Sequence, residues 1–471
     1  MKLHHFVVVL VFTISASANP PNIVLILADD LGYGDLGCYN PESKIPTPHS
    51  DRLAEDGIIF TDAHSPSAVC SPTRYSLLTG RYAWRTELKS LVLWAFDRPL
   101  IKPGENTLPK LLEGAGYDTA CIGKWHLGWD WKRSDGAPLG LPFQIGERGP
   151  HSERIRLAQA VDYSQPVGGG PLGAGFSNYF GDDVINQPPY LWIEDNRCLT
   201  KPTLPQLPGI LRGSSNGPAL EGWKQADVLP KVTERAVGYI QERGKIPHQP
   251  FFLYFPLTAP HLPIVVPEGF EGKSSYVSKY GAYGDFVHYI DWIVGQLDQA
   301  LCESGLQEDT LVIFTSDNGS FAEPGHGHLA NGPLRGAKAS IFEGGHRVPL
   351  VIRWPGKIEK GMTNPQLVGL NDFMATFAAL LGQELPACAA QDSVNLLPTF
   401  RDTEVSVRKS LVHHSVSGEF AIRNGKWKLI PGRKMLFDLE TDIGEEHNLW
   451  EKHPKIVGRL GEELDRIRGG D

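Results

Sequence analysis

Ile23-Val24-Leu25-Ile26-Leu27-Ala28-Asp29-Asp30 is the stretch that decides the fold. An apolar run without polar alternation reads as a strand covered on both faces, the pattern of a parallel sheet between helices. Two adjacent carboxylates follow it, at the carboxyl end where open α/β sheets bind ligands. Three further runs have the same character: Phe251 to Phe255, Leu311 to Phe314 and Pro349 to Ile352. All four are expected to be buried parallel strands. Helical stripes lie between them. Phe286, Ile290, Ile293, Leu297 and Leu301 recur at helical steps, as do Val232, Ala236 and Ile240, and Thr47-Pro48 starts a helix before Leu53-Ala54. The alternation predicts a doubly wound α/β domain over residues 19–395.

Outside that frame the character changes twice. Residues 131–222 are rich in glycine and proline and hold no long period, which predicts long loops and short elements over the sheet. From residue 396 to 471 a small antiparallel sheet is expected. Phe420 to Arg423 and Trp427 to Ile430 flank Asn424-Gly425-Lys426, Leu436 to Leu439 adds a strand, and Ile456, Leu460, Leu464 and Ile467 form a closing helix. At the other end, Met1-Lys2 precedes an apolar run from Phe6 to Ile14 and Ala16-Ser17-Ala18. This reads as a signal peptide over residues 1–18, so the protein is expected to be exported. The run is well short of the ~20 residues of a membrane span, so no stable anchor is expected. A net charge of -9 without long runs of one sign excludes a nucleic-acid footprint. The six cysteines follow neither a zinc pattern nor a dense disulfide pattern.

Polar residues crowd the ends of these strands. Leu311 to Phe314 leads to Asp317-Asn318-Gly319, and Phe251 to Phe255 leads to His261. Asp29, Asp30, Asp317 and Asn318 together offer a hard, all-oxygen site, which favours Ca²⁺, with Mg²⁺ second, over zinc or copper. Cys70-Ser71-Pro72-Thr73-Arg74 places a proline in the first turn of a helix and Cys70 at its N-terminus, where negative charge is favoured. His413-His414 are candidates to approach this pocket from the C-terminal part. Trp84, Trp94, Trp125, Trp129, Trp131, Tyr190, Trp192 and Trp223 cluster near the motifs, where they serve sugar stacking or core packing.

Cys-x-Pro-x-Arg followed by Leu78-Thr79-Gly80-Arg81 resembles the signature of the type I sulfatases, members of the alkaline phosphatase superfamily. Other segments resemble that family in the same order. They are Asp29 to Asp35, Gly123-Lys124-Trp125-His126-Leu127-Gly128, Ala259-Pro260-His261-Leu262-Pro263, Ser316-Asp317-Asn318-Gly319, Arg335 to Lys338 and Glu343 to Pro349. The tail from Leu436 through Leu449 also resembles the family's C-terminal segment. Residues 131–222 carry no motif that can be placed, and Asn40 stands where many relatives have glycine.

The resemblance implies an alkaline-phosphatase-like central sheet and a small C-terminal antiparallel sheet domain. It implies that a formylglycine-generating enzyme oxidises Cys70 to formylglycine. A hydrated aldehyde has two hydroxyls on one carbon: one attacks sulfur, and loss of the other's proton expels sulfate as the carbonyl re-forms. By the same carry-over Asp29, Asp30, Asp317, Asn318 and the converted Cys70 hold Ca²⁺. Asp317 takes the attacking hydroxyl's proton, and Arg74 and Lys124 steady the hydrate. His126 takes the second proton, and His261 and Lys338 bind sulfate and serve the leaving alcohol. The expected reaction is hydrolysis of a sulfate monoester, on a sulfated carbohydrate met outside the cytoplasm, whether secreted, periplasmic or lysosomal. Two rivals remain: a phosphoester or phosphonate hydrolase of the same superfamily, and a non-catalytic binder of sulfated glycans.

Overall fold

The computed structural model describes residues 20–469; the expected signal peptide lies outside them. A ten-stranded sheet organises the chain. In chain order its strands are β1 (Asn22–Asp29), β2 (Ile58–Phe60), β3 (Asp118–Lys124), β4 (Asn178–Asp183), β5 (Ile193–Glu194), β6 (Arg197–Cys198), β7 (Phe251–Pro260), β8 (Thr310–Ser316), β9 (Leu350–Arg353) and β10 (Met362–Asn364). In space they run β10-β2-β9-β8-β1-β7-β3-β4-β5-β6. The founding strand is therefore central. β1 pairs in parallel with β7, Ile23 beside Phe252, and with β8, Ile23 beside Leu311. Its side chains divide between two cores: Ile23, Leu25 and Leu27 face one, Val24, Ile26 and Ala28 the other. Period-two alternation cannot show in such a strand, because both faces are equally dry.

Helices α1 (Pro48–Glu55), α3 (Val228–Gly244) and α4 (Tyr283–Glu303) serve the second core, and α2 (Cys70–Thr79) packs into the first. Two expectations need correcting. Leu350–Arg353 is antiparallel to β8, not parallel; a run buried on both faces carries no mark of its direction. The stretch 131–222 also does more than cover the sheet. It supplies β4, parallel to β3, and the β5–β6 hairpin at the edge. Asn178–Asp183, with a glycine and two aspartates, has little of a strand's usual composition.

Beyond the sheet, β11 (Ser410–His414), β12 (Phe420–Asn424), β13 (Trp427–Ile430) and β14 (Met435–Asp438) form a four-stranded antiparallel sheet. Helix α5 (Pro454–Gly469) lays Leu460 and Leu464 on it. β11 escaped the apolar pattern because Ser410, His413 and His414 break it.

Candidate active site

The carboxyl ends of β1, β3, β7 and β8 converge on the N-terminus of α2. β1 ends in Asp29, and Asp30 follows it in a left-handed conformation, φ 75°. His126, just after β3, has φ 58°, and Asp183, closing β4, has φ 65°. Such angles in non-glycine residues are costly and persist where surroundings hold them. Here the hold is visible: the Trp125 and His126 amides donate to the Asp183 carbonyl and carboxylate, at 3.1 and 3.0 Å. Glycine serves close approach between motifs. A Cβ on Gly319 would lie 1.9 Å from the Gly344 carbonyl oxygen, so the loop after β8 can lie against the Glu343–His346 turn only without one.

Cys70 opens α2 and is buried. Its Sγ lies 3.5 Å from Asp29 Oδ1 and 3.6 Å from Lys338 Nζ. Ligand atoms of Asp29, Asp30, Cys70 and His261 all fall within 4.8 Å of one another. Lys124 Nζ donates to Asp29 at 2.7 Å, and Lys338 Nζ to Asp30 at 2.6 Å. Arg74 donates to Asp317 Oδ2 through Nε and Nη2, at 3.0 and 2.8 Å, and to the Lys124 carbonyl at 3.0 Å. Its guanidinium therefore fixes the Asp317 carboxylate. Asn318 Nδ2 donates to Asp30 at 2.7 Å, while its Oδ1 is buried without a partner. His261 Nε2 lies 3.8 Å from Asp30, and the His261 and Lys338 side chains are 15% and 18% exposed, which opens this end to solvent.

Electrostatics set these groups apart from ordinary buried residues. Burial pushes Asp29 up, but Lys124, His261, Arg74 and Lys338 outweigh it and hold it well below the usual carboxylate range. Burial and the Asp29 charge lift Asp317 to about 6. The Cys70 thiol is pushed up by burial against the pull of Lys124 and Lys338. His126 is held neutral by burial, then by Lys124 and Arg74. Its Nε2–H donates to the Leu93 carbonyl at 2.9 Å, which leaves Nδ1 a buried, unpartnered acceptor.

Nine of the ten residues expected from the sequence are thus joined by direct contacts, and His126 lies close enough to feel the charges of Lys124, Arg74 and Asp29. Three buried carboxylates and an amide oxygen without a partner are an oxygen-rich set that fits a hard divalent cation; the Cys70 sulfur and the His261 nitrogen are the softer atoms grouped with them. Sequence reasoning did not single out Asp182 and Asp183. Asp183 holds the His126 turn, and Asp182 is buried with both carboxylate oxygens unpartnered. The signal was a pair of acids just before an irregular loop, the same arrangement as Asp29-Asp30. Two alternatives left open by the sequence resolve to structural roles. His413 packs against His64 and His346, away from the Cys70 group. Trp125, Trp129, Trp131 and Tyr190 are core side chains, at most 2% exposed, and offer no face to a sugar.

Comparison with known proteins agrees with this geometry. The sulfatase family model matches residues 21–383, and the C-terminal model of N-sulphoglucosamine sulphohydrolase matches 337–469. An N-acetylgalactosamine-6-O-sulfatase of Bacteroides thetaiotaomicron is 31% identical, over 96% of this chain and 94% of its own. Human arylsulfatase A is 35% identical over 92% of this chain and 84% of its own. A solved structure from work on glycosaminoglycan metabolism by Bacteroides thetaiotaomicron superposes with a TM-score of 0.81 at 29% identity, covering 96% of this chain and all of the other. With Cys70, the carboxylates and the cationic side chains gathered at the carboxyl ends of the central strands, and with matches that span nearly the whole chain, the protein belongs to the sulfatase family and is a sulfuric ester hydrolase of alkaline-phosphatase-like fold.

Proposed function

We propose that this sulfatase hydrolyses sulfate esters of carbohydrates with a formylglycine made from Cys70 and a bound Ca²⁺. The observation that carries the reading is the placement of Cys70 Sγ: at a helix N-terminus, between Asp29 and Lys338, in a group with Asp30 and His261. Asp29, Asp30, Asp317 and Asn318 would hold the cation, together with the converted Cys70. When bound, the cation polarises the sulfate group and lowers the pKa of a hydroxyl beside it; the aldehyde hydrate adds a nucleophile with its own route of release.

The chain's residues divide the remaining work. Lys124 and Lys338 pair with the two carboxylates that a cation would neutralise; with those carboxylates so engaged, Lys124 would be free to steady the aldehyde hydrate and Lys338 to bind sulfate oxygens. Arg74 fixes Asp317, which is the proton acceptor for the attacking hydroxyl. His126 Nδ1, neutral and without a partner, is the acceptor for the proton lost as sulfate leaves. His261 and Lys338 stand at the solvent-open end, where the leaving alcohol departs. The catalytic part is taken to end at residue 395, with 396–471 as a small appended domain. Export by the N-terminal 18 residues suits a substrate met outside the cytoplasm.

Relatives named for N-acetylgalactosamine-6-sulfate support a carbohydrate substrate; attack at an accessible chain end is our expectation for it. Two measurements test the reading. The tryptic peptide Leu53 to Arg74 of native, exported protein is expected about 18 Da lighter than its unmodified form; unmodified cysteine throughout would refute the mechanism. Sulfated mono- and oligosaccharides, an aryl sulfate and its phosphate analogue are then compared. Sulfate release from a sugar is the expected result. Release from the aryl ester alone would remove the carbohydrate assignment, and faster phosphate release would favour a phosphoester hydrolase.

A further inference from the structure

We propose that His64, His346 and His413 form a second metal site, for a borderline transition metal with zinc first, that staples the C-terminal sheet to segments flanking the large one. His64 ends the short strand Ala63–His64, His346 ends the turn Glu343–His346, and His413 lies on β11. All three are fully buried, and one ring nitrogen of each falls within 4.8 Å of the others. Burial holds each imidazole below its ordinary pKa, so each presents a lone pair.

Orientation is the stronger argument. His64 Nε2 faces an Asp62 oxygen at 2.8 Å, and His346 Nε2 faces the Ile341 carbonyl at 3.2 Å. With a proton on each Nε2 to serve those acceptors, both Nδ1 atoms are bare, and they face each other at 3.1 Å. Two lone pairs repel at that distance unless something positive lies between them. Two nitrogens on a tetrahedral zinc, with Zn–N of about 2.0–2.1 Å, stand roughly 3.3 Å apart. The Asp62 carboxylate behind His64 is the partner that a metal-bound imidazole usually has. His413 supplies the independent sign: it is fully buried, and neither of its ring nitrogens has a hydrogen-bond partner. An imidazole so placed is costly without a ligand.

The surrounding acids Asp62, Glu343 and Glu445 are balanced by Arg347, Arg423 and Lys428. A fourth ligand of hydroxide or chloride would offset one of the ion's two charges. The rival arrangement is metal-free. Lys428 Nζ lies 3.1 Å from His346 Nε2, and donation there puts the His346 proton on Nδ1, directed to His64 and on to Asp62. That relay leaves His413 with nothing. The staple has a consequence for the reaction. Ser65 N donates to the His346 carbonyl at 2.8 Å and Ala68 N to the His414 carbonyl at 3.0 Å. The segment leading into Cys70 therefore hangs between two of the ligand-bearing elements.

The test uses the full chain, stripped of transition metal and held in excess Ca²⁺ so that the oxygen site is occupied. Co²⁺ titration is expected to give the intense visible absorption of a tetrahedral nitrogen site at about one equivalent, displaced by Zn²⁺. His413→Phe, which keeps a ring in the stack, is expected to weaken Zn²⁺ binding at least about 100-fold. If His413→Phe does not fold, the wild-type titration still decides. Absence of the tetrahedral spectrum, or Zn²⁺ affinity unchanged in the folded variant, would mean the metal-free relay and overturn the proposal.

Discussion

Two buried clusters of charge in this molecule contain nearly the same ingredients. Asp29, Asp30 and Asp317 stand with Arg74, Lys124 and Lys338 at the carboxyl ends of the central strands. Asp62, Glu343 and Glu445 stand with Arg347, Arg423 and Lys428 between the large sheet and the C-terminal one. Their electrostatics differ. In the first, burial and a like charge lift Asp317 to about 6, and a sulfur, an imidazole nitrogen and an amide oxygen are left without strong partners. In the second, burial of Asp62 is outweighed by Arg423, Arg347 and His64, which hold it well below the usual range. Lys428 bridges two carboxylates, at 3.1 and 2.9 Å. Frustration around one reactive atom marks the first as a place for chemistry. Mutual pairing of its acids and cations, with the histidine rings as the part left short of partners, marks the second as a joint.

The sharpest test of that contrast is Cys70→Ala. Turnover is expected to fall at least about 10⁴-fold with little change in thermal stability; loss of fold instead would make the first cluster structural. Lys428→Ala should do the reverse. Removing one partner of a buried pair costs about 3–5 kcal/mol, read as a lower denaturation midpoint, and full stability would break the contrast. Asp182→Asn sharpens it further. Burial, then the Asp183 charge, raise Asp182 to about 7. A carboxyl raised in the folded state costs nothing below its unfolded pKa and costs most above its folded one. The asparagine variant should therefore gain stability over the parent by about 2–3 kcal/mol more at pH 8 than at pH 5. Equal denaturation curves at the two pH values would show that Asp182 has partners in solution. Smallest of all is Arg433→Ala, which breaks an exposed pair with Glu419; a change within about 1 kcal/mol is expected.

Legibility in the sequence followed the same division. Asp29, Cys70, Lys124, His261, Asp317 and Lys338 each lie in or beside a compact motif at a strand end or helix start, so chemistry could be read from neighbours. The joint could not be read. Glu343 opens the family-like motif Glu343 to Pro349, but nothing in that motif names its partners; Asp62, Arg423 and Lys428 are joined to it only by the fold, and each alone looks like a surface charge. Asp118–Lys124, Asn178–Asp183 and Ser410–His414 were missed as strands for a related reason. Most of their polar residues are buried by tertiary packing, and no local pattern records this. The β8–β9 direction was illegible because a run buried on both faces looks the same from either end.

Burial of Cys70 sets a clock. The residue is 2% exposed, behind a sheet in which β1 must find β7 and β8, whose last residue is Ser316. At a synthesis rate of about 5–20 residues per second, roughly 250 residues separate Cys70 from that point, and the interval is on the order of 10–50 seconds. An enzyme that modifies Cys70 works within that interval or on a chain kept unfolded. Variants that speed early collapse would then lower the active fraction without altering a single atom of the finished site.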